Sequence, residues 1–254
     1  MNFNHAIVRT PCKNVVYGLT TQKTVCADYT KSIEQHENYI KLLEELGLNI
    51  DILTSEEKFP DSTFIEDTAV LTQCLAVLCN PGADSRKGEI SSVRNFLKTK
   101  FSKIENIEGP GTLDGGDVLE INDQFYIGLS NRTDQNGAEQ LLTILSKIGK
   151  TGSIIPVREG LHLKSSVSYL GENYLLINSE SINISHFSDY ECITTAFNEG
   201  YSANSISING TVIMPNGFSK TKTKVENAGF MVKTLNVSEF KKLDGGLSCL
   251  SLRY

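Results

Sequence analysis

The last cysteine in the chain has the strongest sequence context for chemistry. Cys249 follows Gly245, Gly246 and Ser248 in the segment LDGGLSCLS, where glycines allow the backbone to approach a ligand closely. A thiolate at this position would be a strong nucleophile if a nearby positive charge or a helix N-terminus lowered its pKa. Because an arbitrary cysteine is more often buried and inert, the residue needs partners before it can carry a reaction.

A proton shuttle is the first such partner. His162, one of four histidines, lies in the segment LHLKSS, and its imidazole could move a proton between thiol, leaving group and water. A core histidine with a satisfied hydrogen bond is the plain alternative. Asp114 and Asp117 flank two glycines in GPGTLDGGD. A carboxylate there could orient His162 or hold a cation, although Asp-Gly-Gly is also common in turns.

A second group of charged residues suggests a cationic ligand with a carboxylate of its own. Glu66 and Asp67 are adjacent in the β-like segment FIEDTAV, and Asp61 precedes them in a loop. Neighbouring residues of a strand face opposite sides, so at least one carboxylate is expected to face inward, which is costly unless a cation pairs with it. Arg86 and Arg132 follow β-like runs and could bind a carboxylate bidentately or remain solvated.

The elements that must position these residues recur along the chain. β-like runs begin near residues 6, 64, 117, 166 and 205, a spacing of roughly 50 residues that is typical of repeat architectures. Each unit continues with a helix and a further strand. The pattern predicts helices over 29–46, 90–98 and 134–148, another starting near 219, and a short, poorly marked helix in the fourth unit. Asn209-Gly210 is the strongest hairpin signal.

The segment SLRY is β-like but has no partner in its own unit. It could pair with the N-terminal strand and close a ring, which predicts an α/β fold of five ββαβ units around a pseudo-fivefold axis. We expect residues 1–254 to form a single domain. A three-layer α/β sheet is the alternative that the pattern leaves open.

Composition excludes several classes of protein. The chain has 254 residues, of which 39% are hydrophobic, so it can bury a sizeable core. A net charge of −6 argues against a nucleic-acid partner. The six cysteines form no CxxC pair and no zinc-finger spacing with histidine, which predicts reduced thiols in a cytoplasmic protein. The N-terminus lacks a signal-peptide pattern, and no apolar run approaches the roughly 20 residues of a membrane span.

Five motifs in order along the chain resemble the dimethylarginine dimethylaminohydrolases of the guanidino-group-modifying (pentein) superfamily. The motifs are FPDSTFIEDTAVL, GPGTLDGGDVL, YIGLSNRT with the following GAEQL, LHLKS, and DGGLSCLSLRY. The resemblance runs from HAIVRTP to the final tyrosine. It implies a five-bladed α/β propeller with the active site at its axis, and so favours the ring over the three-layer sheet.

The resemblance also implies a role for each candidate residue. Cys249 is the nucleophile, His162 the general acid and base, and Asp114 their acidic partner, a position that some bacterial relatives fill with glutamate. The remaining matches bind substrate: Asp61, Glu66 and Asp67 hold the guanidinium, Arg86 and Arg132 hold the α-carboxylate, and Leu19 and Leu243 present backbone carbonyls to the α-amino group.

The implied reaction converts dimethylarginine or monomethylarginine to citrulline and dimethylamine or methylamine through a covalent thiouronium on Cys249. It requires no metal and no other cofactor, and the only expected partner is a small guanidinium amino acid, with no nucleic acid or membrane and with a homodimer left open. Arginine deiminase chemistry is the nearest rival, but those enzymes typically carry an acidic residue two positions after the histidine, where this chain has Lys164. A non-catalytic pentein and an unrelated thiol amidase are further rivals, disfavoured by the intact Cys-His-Asp set and by the acidic motifs.

Overall fold

The strands form five separate three-stranded sheets in the part of the chain that the structure, a computed structural model, describes: residues 3–22, 24 and 26–254. The strands are β1 His5–Arg9, β2 Asn49–Leu53, β3 Ala69–Leu71, β4 Ala76–Leu78, β5 Ile104–Asn106, β6 Val118–Ile121, β7 Gln124–Leu129, β8 Thr151–Pro156, β9 Val167–Gly171, β10 Tyr174–Ile177, β11 Glu191–Thr194, β12 Ile206–Ile208, β13 Thr211–Pro215, β14 Met231–Leu235 and β15 Leu252–Arg253. The helices are α1 Tyr29–Glu45, α2 Ile90–Leu97, α3 Gln135–Ser146, α4 Ser219–Asn227 and α5 Ser238–Lys241.

Every sheet has the same internal order. A central strand pairs antiparallel with one neighbour and parallel with the other, as β7 does with β6 and β8. The parallel partner follows after a crossover, which is α1, α2, α3 or α4 in four of the units. In the fourth unit the crossover has only a 3₁₀ turn at Ile184–Phe187, in agreement with the weak helix signal there. The repeat therefore confirms the five ββαβ units.

The C-terminal strand completes the first sheet. β15 pairs antiparallel with β1, with Ala6 opposite Arg253 and Ile7 opposite Leu252. The main chains of His5 and Tyr254 add two hydrogen bonds of 3.0 and 3.1 Å. The last strand of the chain thus supplies the strand that the first unit lacks. This pairing confirms the predicted ring closure, and the five separate sheets show that the three-layer alternative was wrong.

Local sequence signals account for most of the elements. The Asp28 carboxylate accepts from the Lys31 N–H at 3.0 Å and starts α1, and Asp134 accepts from the Gly137 N–H at 2.7 Å and starts α3, as N-cap residues do. Asn209 and Gly210 have φ values of 47° and 86°, which a two-residue hairpin turn requires.

None of the helices in residues 3–22, 24 and 26–254 is long and apolar enough to span a membrane.

The segment FIEDTAV departs from its predicted strand. Residues Ile65–Thr68 form a 3₁₀ turn, and β3 begins only at Ala69. The Thr68 hydroxyl donates to the Ile65 carbonyl at 2.7 Å and closes this turn. This turn packs directly against Gly115 of the next unit. The contact is so close that a Cβ on Gly115 would lie only 2.0 Å from the Glu66 carbonyl oxygen. Tertiary packing therefore overrides the β propensity of the segment.

In every sheet a 3₁₀ turn leads into the strand that pairs antiparallel with the central strand. We call these five segments the leading turns: Ile65–Thr68, Gly115–Asp117, Leu163–Ser165, Gly200–Ala203 and Ser248–Leu250. The first turn packs on the second, the second on the third and the third on the fourth. The fifth turn packs on the first. Each turn carries or adjoins charged or polar residues, whereas the apolar side chains pack between the sheets and helices. The turns therefore concentrate the buried polar groups of all five units at one place.

Candidate active site

Two of the leading turns border a cavity of about 190 Å³ through Asp67 and Cys249, and His162, which directly precedes a third, also lines it. Eight of the ten predicted site residues line it: Leu19, Asp61, Asp67, Arg86, Arg132, His162, Leu243 and Cys249. Asp114 does not line the cavity but bonds His162 at 3.0 Å, and Glu66 lines a separate cavity with Lys164 and Arg253. Residues that are up to 230 positions apart in sequence thus meet around one small space, as the ring predicts.

His162 is buried between carboxylates. Its Nε2 lies 3.0 Å from an Asp114 oxygen, and its Nδ1 lies 3.8 Å from an Asp67 oxygen. Burial alone would lower the pKa of His162, but the negative charges of Asp67, Asp117 and Asp114 outweigh burial and raise it to about 9. The imidazole is therefore protonated at neutral pH and ready to act as an acid.

Asp117 fixes the turn that carries His162. One of its carboxylate oxygens accepts from the Ser130 and Thr133 hydroxyls, both at 2.7 Å, and the other accepts from the Leu163 N–H at 2.9 Å. Burial raises the pKa of Asp117 to about 6 despite these donors and the nearby His162. Of the two DGGD carboxylates, Asp114 therefore contacts the imidazole directly, and Asp117 acts through the backbone.

Cys249 is buried on the last leading turn and has no cation as a direct partner among the described residues. Burial, with the negative charges of Glu66 and Asp67, raises the pKa of its thiol to about 12. The glycines before it serve packing: a Cβ on Gly246 would lie 2.5 Å from Asn204 atoms. The thiol is thus protonated in the unliganded protein, and ionisation requires a positive charge from elsewhere.

Two carboxylates face the cavity with different partners. Asp67 accepts from Arg86 Nη1 at 2.5 Å and from the Gly116 N–H at 2.9 Å. Burial opposes ionisation, but His162 and Arg86 outweigh it and lower the pKa of Asp67. Asp61 accepts from the Leu19 N–H at 2.9 Å, and burial raises its pKa. Both carboxylates are placed to hold a cation that enters the cavity.

Glu66 uses its carboxylate within the protein. Oε1 accepts from Lys164 Nζ at 2.7 Å and from Arg253 Nη2 at 3.2 Å, and Oε2 accepts from the Ser248 hydroxyl at 2.8 Å. The expectation that a buried carboxylate here has a cationic partner is confirmed for Glu66 and for Asp67. The strand geometry behind that expectation was wrong, because both residues lie on a 3₁₀ turn.

The two arginines differ in how free they are. Arg86 is buried and donates to Asp67, to both oxygens of Glu89 and to two main-chain carbonyls, so few of its N–H groups remain for a ligand. Arg132 is partly exposed, and its Nη1 lies 3.9 Å from an Asp114 oxygen. Leu19 and Leu243 also line the cavity. Arg132 is the more available of the two cations.

One group of side chains in residues 3–22, 24 and 26–254 has the spacing of a metal site. Asp67, Asp114 and His162 bring ligand atoms within 4.8 Å of one another. Asp67 already accepts from Arg86 and Gly116, and His162 Nε2 is bonded to Asp114. Because the pKa of His162 is raised to about 9 and Arg86 already supplies a cation to Asp67, the group fits a charge-stabilised imidazolium better than a metal. That the reaction needs no metal stays a prediction.

Several residues at the site escaped the sequence reasoning. Ser130 and Thr133 lie in the motif YIGLSNRT, but nothing in their spacing indicated that both bind Asp117. The Tyr201 hydroxyl donates to the Gly245 carbonyl at 2.8 Å, and Asn204 binds Ser248. These two contacts join separate units of the ring, so no local pattern could have indicated them.

Comparison with known proteins identifies relatives along the whole chain. The family model described as N,N dimethylarginine dimethylhydrolase, eukaryotic, matches residues 13–210. The chain is 41% identical to the N(G),N(G)-dimethylarginine dimethylaminohydrolase of Pseudomonas aeruginosa, over 99% of this chain and 100% of that protein. A solved structure of the Pseudomonas aeruginosa enzyme, a cysteine-to-serine variant complexed with citrulline, superposes with a TM-score of 0.97 at 40% identity and covers 100% of both chains.

A further solved structure is a histidine-to-glycine variant of a dimethylarginine dimethylaminohydrolase, captured as an adduct with S-methyl-L-thiocitrulline. It has a TM-score of 0.96 at 40% identity and covers 99% of this chain and 100% of its own. These two structures also cover the residues after 210, which the family model does not match and which include the Ser248–Leu250 turn. The chain therefore belongs to the dimethylarginine dimethylaminohydrolase family.

Proposed function

We propose that this protein hydrolyses N-omega-methylated arginines to citrulline and dimethylamine or methylamine. The observation that carries the proposal is the cavity itself, where a thiol, an imidazolium and two cation-binding carboxylates meet: Cys249, His162, Asp61 and Asp67. A guanidinium satisfies the two carboxylates. It also presents its central carbon as an electrophile to a thiolate.

Substrate binding would activate the nucleophile. The positive charge of the guanidinium offsets the burial and the acidic neighbours that keep Cys249 protonated, so the thiol proton is lost to solvent when substrate enters. Asp61 and Asp67 fix the orientation of the planar cation. Positioning of this kind lowers the barrier because the reacting atoms are already aligned.

The covalent steps divide the work between Cys249 and His162. The thiolate forms a bond with the guanidinium carbon and gives a tetrahedral adduct. His162 donates its proton to the alkylated nitrogen, the C–N bond breaks, and methylamine or dimethylamine leaves. An S-alkylthiouronium and a neutral imidazole remain. The imidazole takes a proton from water as the oxygen attacks. In the collapse of the second adduct the C–S bond breaks and the hydroxyl proton passes to the departing sulfur, which releases citrulline and restores the Cys249 thiol.

Asp114 would set the direction of this proton transfer. It holds His162 Nε2 at 3.0 Å, whereas Nδ1 makes no hydrogen bond among the described residues and is the nitrogen left to exchange a proton. The amino-acid end of the substrate would lie at the rim, where Arg132 and the remaining Arg86 donor bind the α-carboxylate. The carbonyls of Leu19 and Leu243 would receive the α-amino group there.

Glu66 would act on the guanidinium through its charge and not by a direct hydrogen bond, since its oxygens already bind Lys164, Arg253 and Ser248.

We further propose that the chain is a single catalytic domain and acts in the cytoplasm, where its six free cysteines stay reduced. A small guanidinium amino acid is the proposed partner.

A citrulline assay tests the function. The protein is incubated separately with asymmetric dimethylarginine, with monomethylarginine and with arginine. Citrulline from the methylated compounds alone supports the proposal, and citrulline from arginine alone would make the protein a deiminase. The variant Cys249→Ser should remove all turnover while its melting temperature stays close to wild type. Activity that survives this change would disprove the nucleophile assignment.

A further inference from the structure

We propose that Asn204 is a positioning residue that sets the spacing between Cys249 and His162; the inference rests on the proposed function. Asn204 follows the leading turn of the fifth sheet and is 4% exposed. It lies between the turn after His162 and the turn that carries Cys249, and it hydrogen-bonds both.

The Asn204 amide bonds the main chain of each turn. Its Oδ1 accepts from the Ser248 N–H at 3.0 Å. Its Nδ2 donates to the Lys164 carbonyl at 3.0 Å and to the Ser248 hydroxyl at 3.1 Å. Lys164 is two residues beyond His162, and Ser248 directly precedes Cys249. One planar side chain therefore fixes two backbone segments relative to each other.

This contact closes the circle of leading turns. The leading turns of the second to fifth sheets pack in chain order, and the Cys249 turn packs on the Ile65–Thr68 turn. The hydrogen bonds of Asn204 supply the remaining link, between the Gly200–Ala203 turn and the Cys249 turn. Gly246 permits the link, because any side chain there would collide with the Asn204 amide.

Glu66 also bonds both segments, but through flexible atoms. It accepts from Lys164 Nζ and from the Ser248 hydroxyl, so the lysine side chain can adjust without moving the backbone. Among the residues that the structure describes, Asn204 is the side chain with hydrogen bonds to the main chain of both turns. Loss of its donors should therefore shift Cys249 relative to His162, while the guanidinium carboxylates, held by Arg86, Gly116 and Leu19, keep their places.

The two reacting groups should respond in opposite ways. A displacement of about 1 Å can lower a rate by about a hundredfold, so turnover should fall. The Cys249 thiol is kept protonated by burial, and a loosened turn admits water. Its reaction with a small alkylating reagent should therefore accelerate. Simple removal of a surface contact would produce neither effect.

The experiment compares Asn204→Ala and Asn204→Asp with the matched control Asn178→Ala. Asn178 is a partly buried asparagine that bonds Ser181 three residues away at 3.0 Å and lies against Gly200 at the start of the leading turn before Asn204. Its substitution therefore removes packing at that turn but no hydrogen bond to the His162 or Cys249 turn. For each protein we would measure kcat and KM with asymmetric dimethylarginine, the iodoacetamide alkylation rate of the peptide containing Cys249, and the melting temperature. Asn204→Asp keeps the shape and the acceptor for Ser248 but replaces the donor, so it decides the matter if the alanine variant does not fold.

For the Asn204 variants we expect kcat to fall by about tenfold or more, KM to change by less than about threefold, and alkylation to accelerate. Asn178→Ala should match wild type in kcat, in KM and in the alkylation rate. Folded Asn204 variants with wild-type kcat and alkylation would overturn the proposal. If wild type yields no citrulline from any substrate, the proposed function fails, and the alkylation arm still tests whether Asn204 holds the Cys249 turn.

Discussion

Cys249 and His162 are held in opposite ionisation states by the same surroundings. Burial opposes charge on both groups, but nearby carboxylates stabilise an imidazolium at His162, chiefly Asp67, Asp117 and Asp114, and destabilise a thiolate at Cys249, through Glu66 and Asp67. The unliganded site therefore has a neutral thiol and a positive imidazole that line the same cavity. The positive charge of a bound substrate favours the thiolate, so the nucleophile forms where its electrophile is already bound. This arrangement also limits reaction of Cys249 with other electrophiles.

The protonated thiol predicts slow alkylation of the unliganded protein. Since the pKa of Cys249 is about 12, its reaction with iodoacetamide should rise steadily between pH 7 and pH 10 without a plateau. The exposed Cys74 is an internal control, and at pH 8 it should react at least about tenfold faster than Cys249. Peptide mass spectrometry measures both rates in one sample. A plateau for Cys249 below pH 8 would mean that the thiolate is formed before substrate binds.

The raised pKa of His162 predicts a loss of stability in mild alkali. A histidine whose pKa is about 9 in the folded state and 6.5 when unfolded stabilises the fold fully below pH 6.5. That contribution, on the order of 3 kcal/mol at most, is lost as pH rises to 9. Chemical denaturation of wild type and His162→Gln should show a difference in pH dependence within this window.

His36 is the matched control for that measurement. Burial lowers the pKa of His36 to about 4, so its effect has the opposite sign: stability is full above pH 6.5 and falls as pH drops toward 4. His36→Gln should therefore alter the acid side of the profile and leave pH 6.5–9 unchanged. If His162→Gln follows wild type across pH 6.5–9, the carboxylates do not hold a proton on His162.

At the scale of elements, the leading turns explain which parts of the structure the sequence could predict. The bounds of α1, α2 and α3 and the Asn209-Gly210 hairpin follow from caps, periodicity and turn residues that lie within a few positions of one another. The turn at Ile65–Thr68 does not, because its shape depends on Gly115 from the next unit. Asn204 was missed for the same reason, since both its partners lie in other units.

The site residues show the same limit. Cys249, His162 and Asp114 were selected by residue type and motif, and the ring brings them to one cavity or directly behind it. The partners of Glu66 could not be read from FIEDTAV, because Lys164 and Ser248 are about 100 and 180 residues away. Which carboxylate faces the ligand is therefore a property of the assembled turns.

The glycines of the DGGD turn provide the test at this scale. A Cβ on Gly116 would lie 2.7 Å from an Asp67 oxygen and from His162 Nδ1, so Gly116→Ala must displace one of these groups. We expect kcat for methylarginine to fall by about a hundredfold. Gly171→Ala is the control: its φ of +106° makes it strained, but nothing lies within 4 Å of the new carbon.

Gly171→Ala should therefore lower the free energy of unfolding by about 1 kcal/mol and leave kcat unchanged. Together the two variants separate a clash with the site from backbone strain far from it. Wild-type kcat in Gly116→Ala would show that the leading turns tolerate a shift of Asp67 and His162, and would contradict the tight packing on which the proposed mechanism depends.

At the scale of the whole molecule, one short strand connects fold and function. β15 begins three residues after Cys249 and pairs with β1, so the strand that closes the ring also anchors the nucleophile turn. Leu252 is buried with Ile7, Ile65 and Leu78. Arg253 bonds Glu66 and the Ser248 carbonyl. Closure of the propeller and placement of the thiol are therefore one structural event.

Deletion of residues 252–254 tests this link. The deletion removes the pairing with β1, exposes apolar surface around Leu252 and leaves Glu66 without Arg253, so we expect the free energy of unfolding to fall by at least about 3 kcal/mol and citrulline formation to disappear. Tyr254→Phe is the matched control, because the Tyr254 hydroxyl is buried without a hydrogen-bond partner in the described structure and the ring can keep its stacking on His5. That control should equal wild type in stability and kcat. A truncated protein that retains both would show that Cys249 is held by its own turn, independently of ring closure.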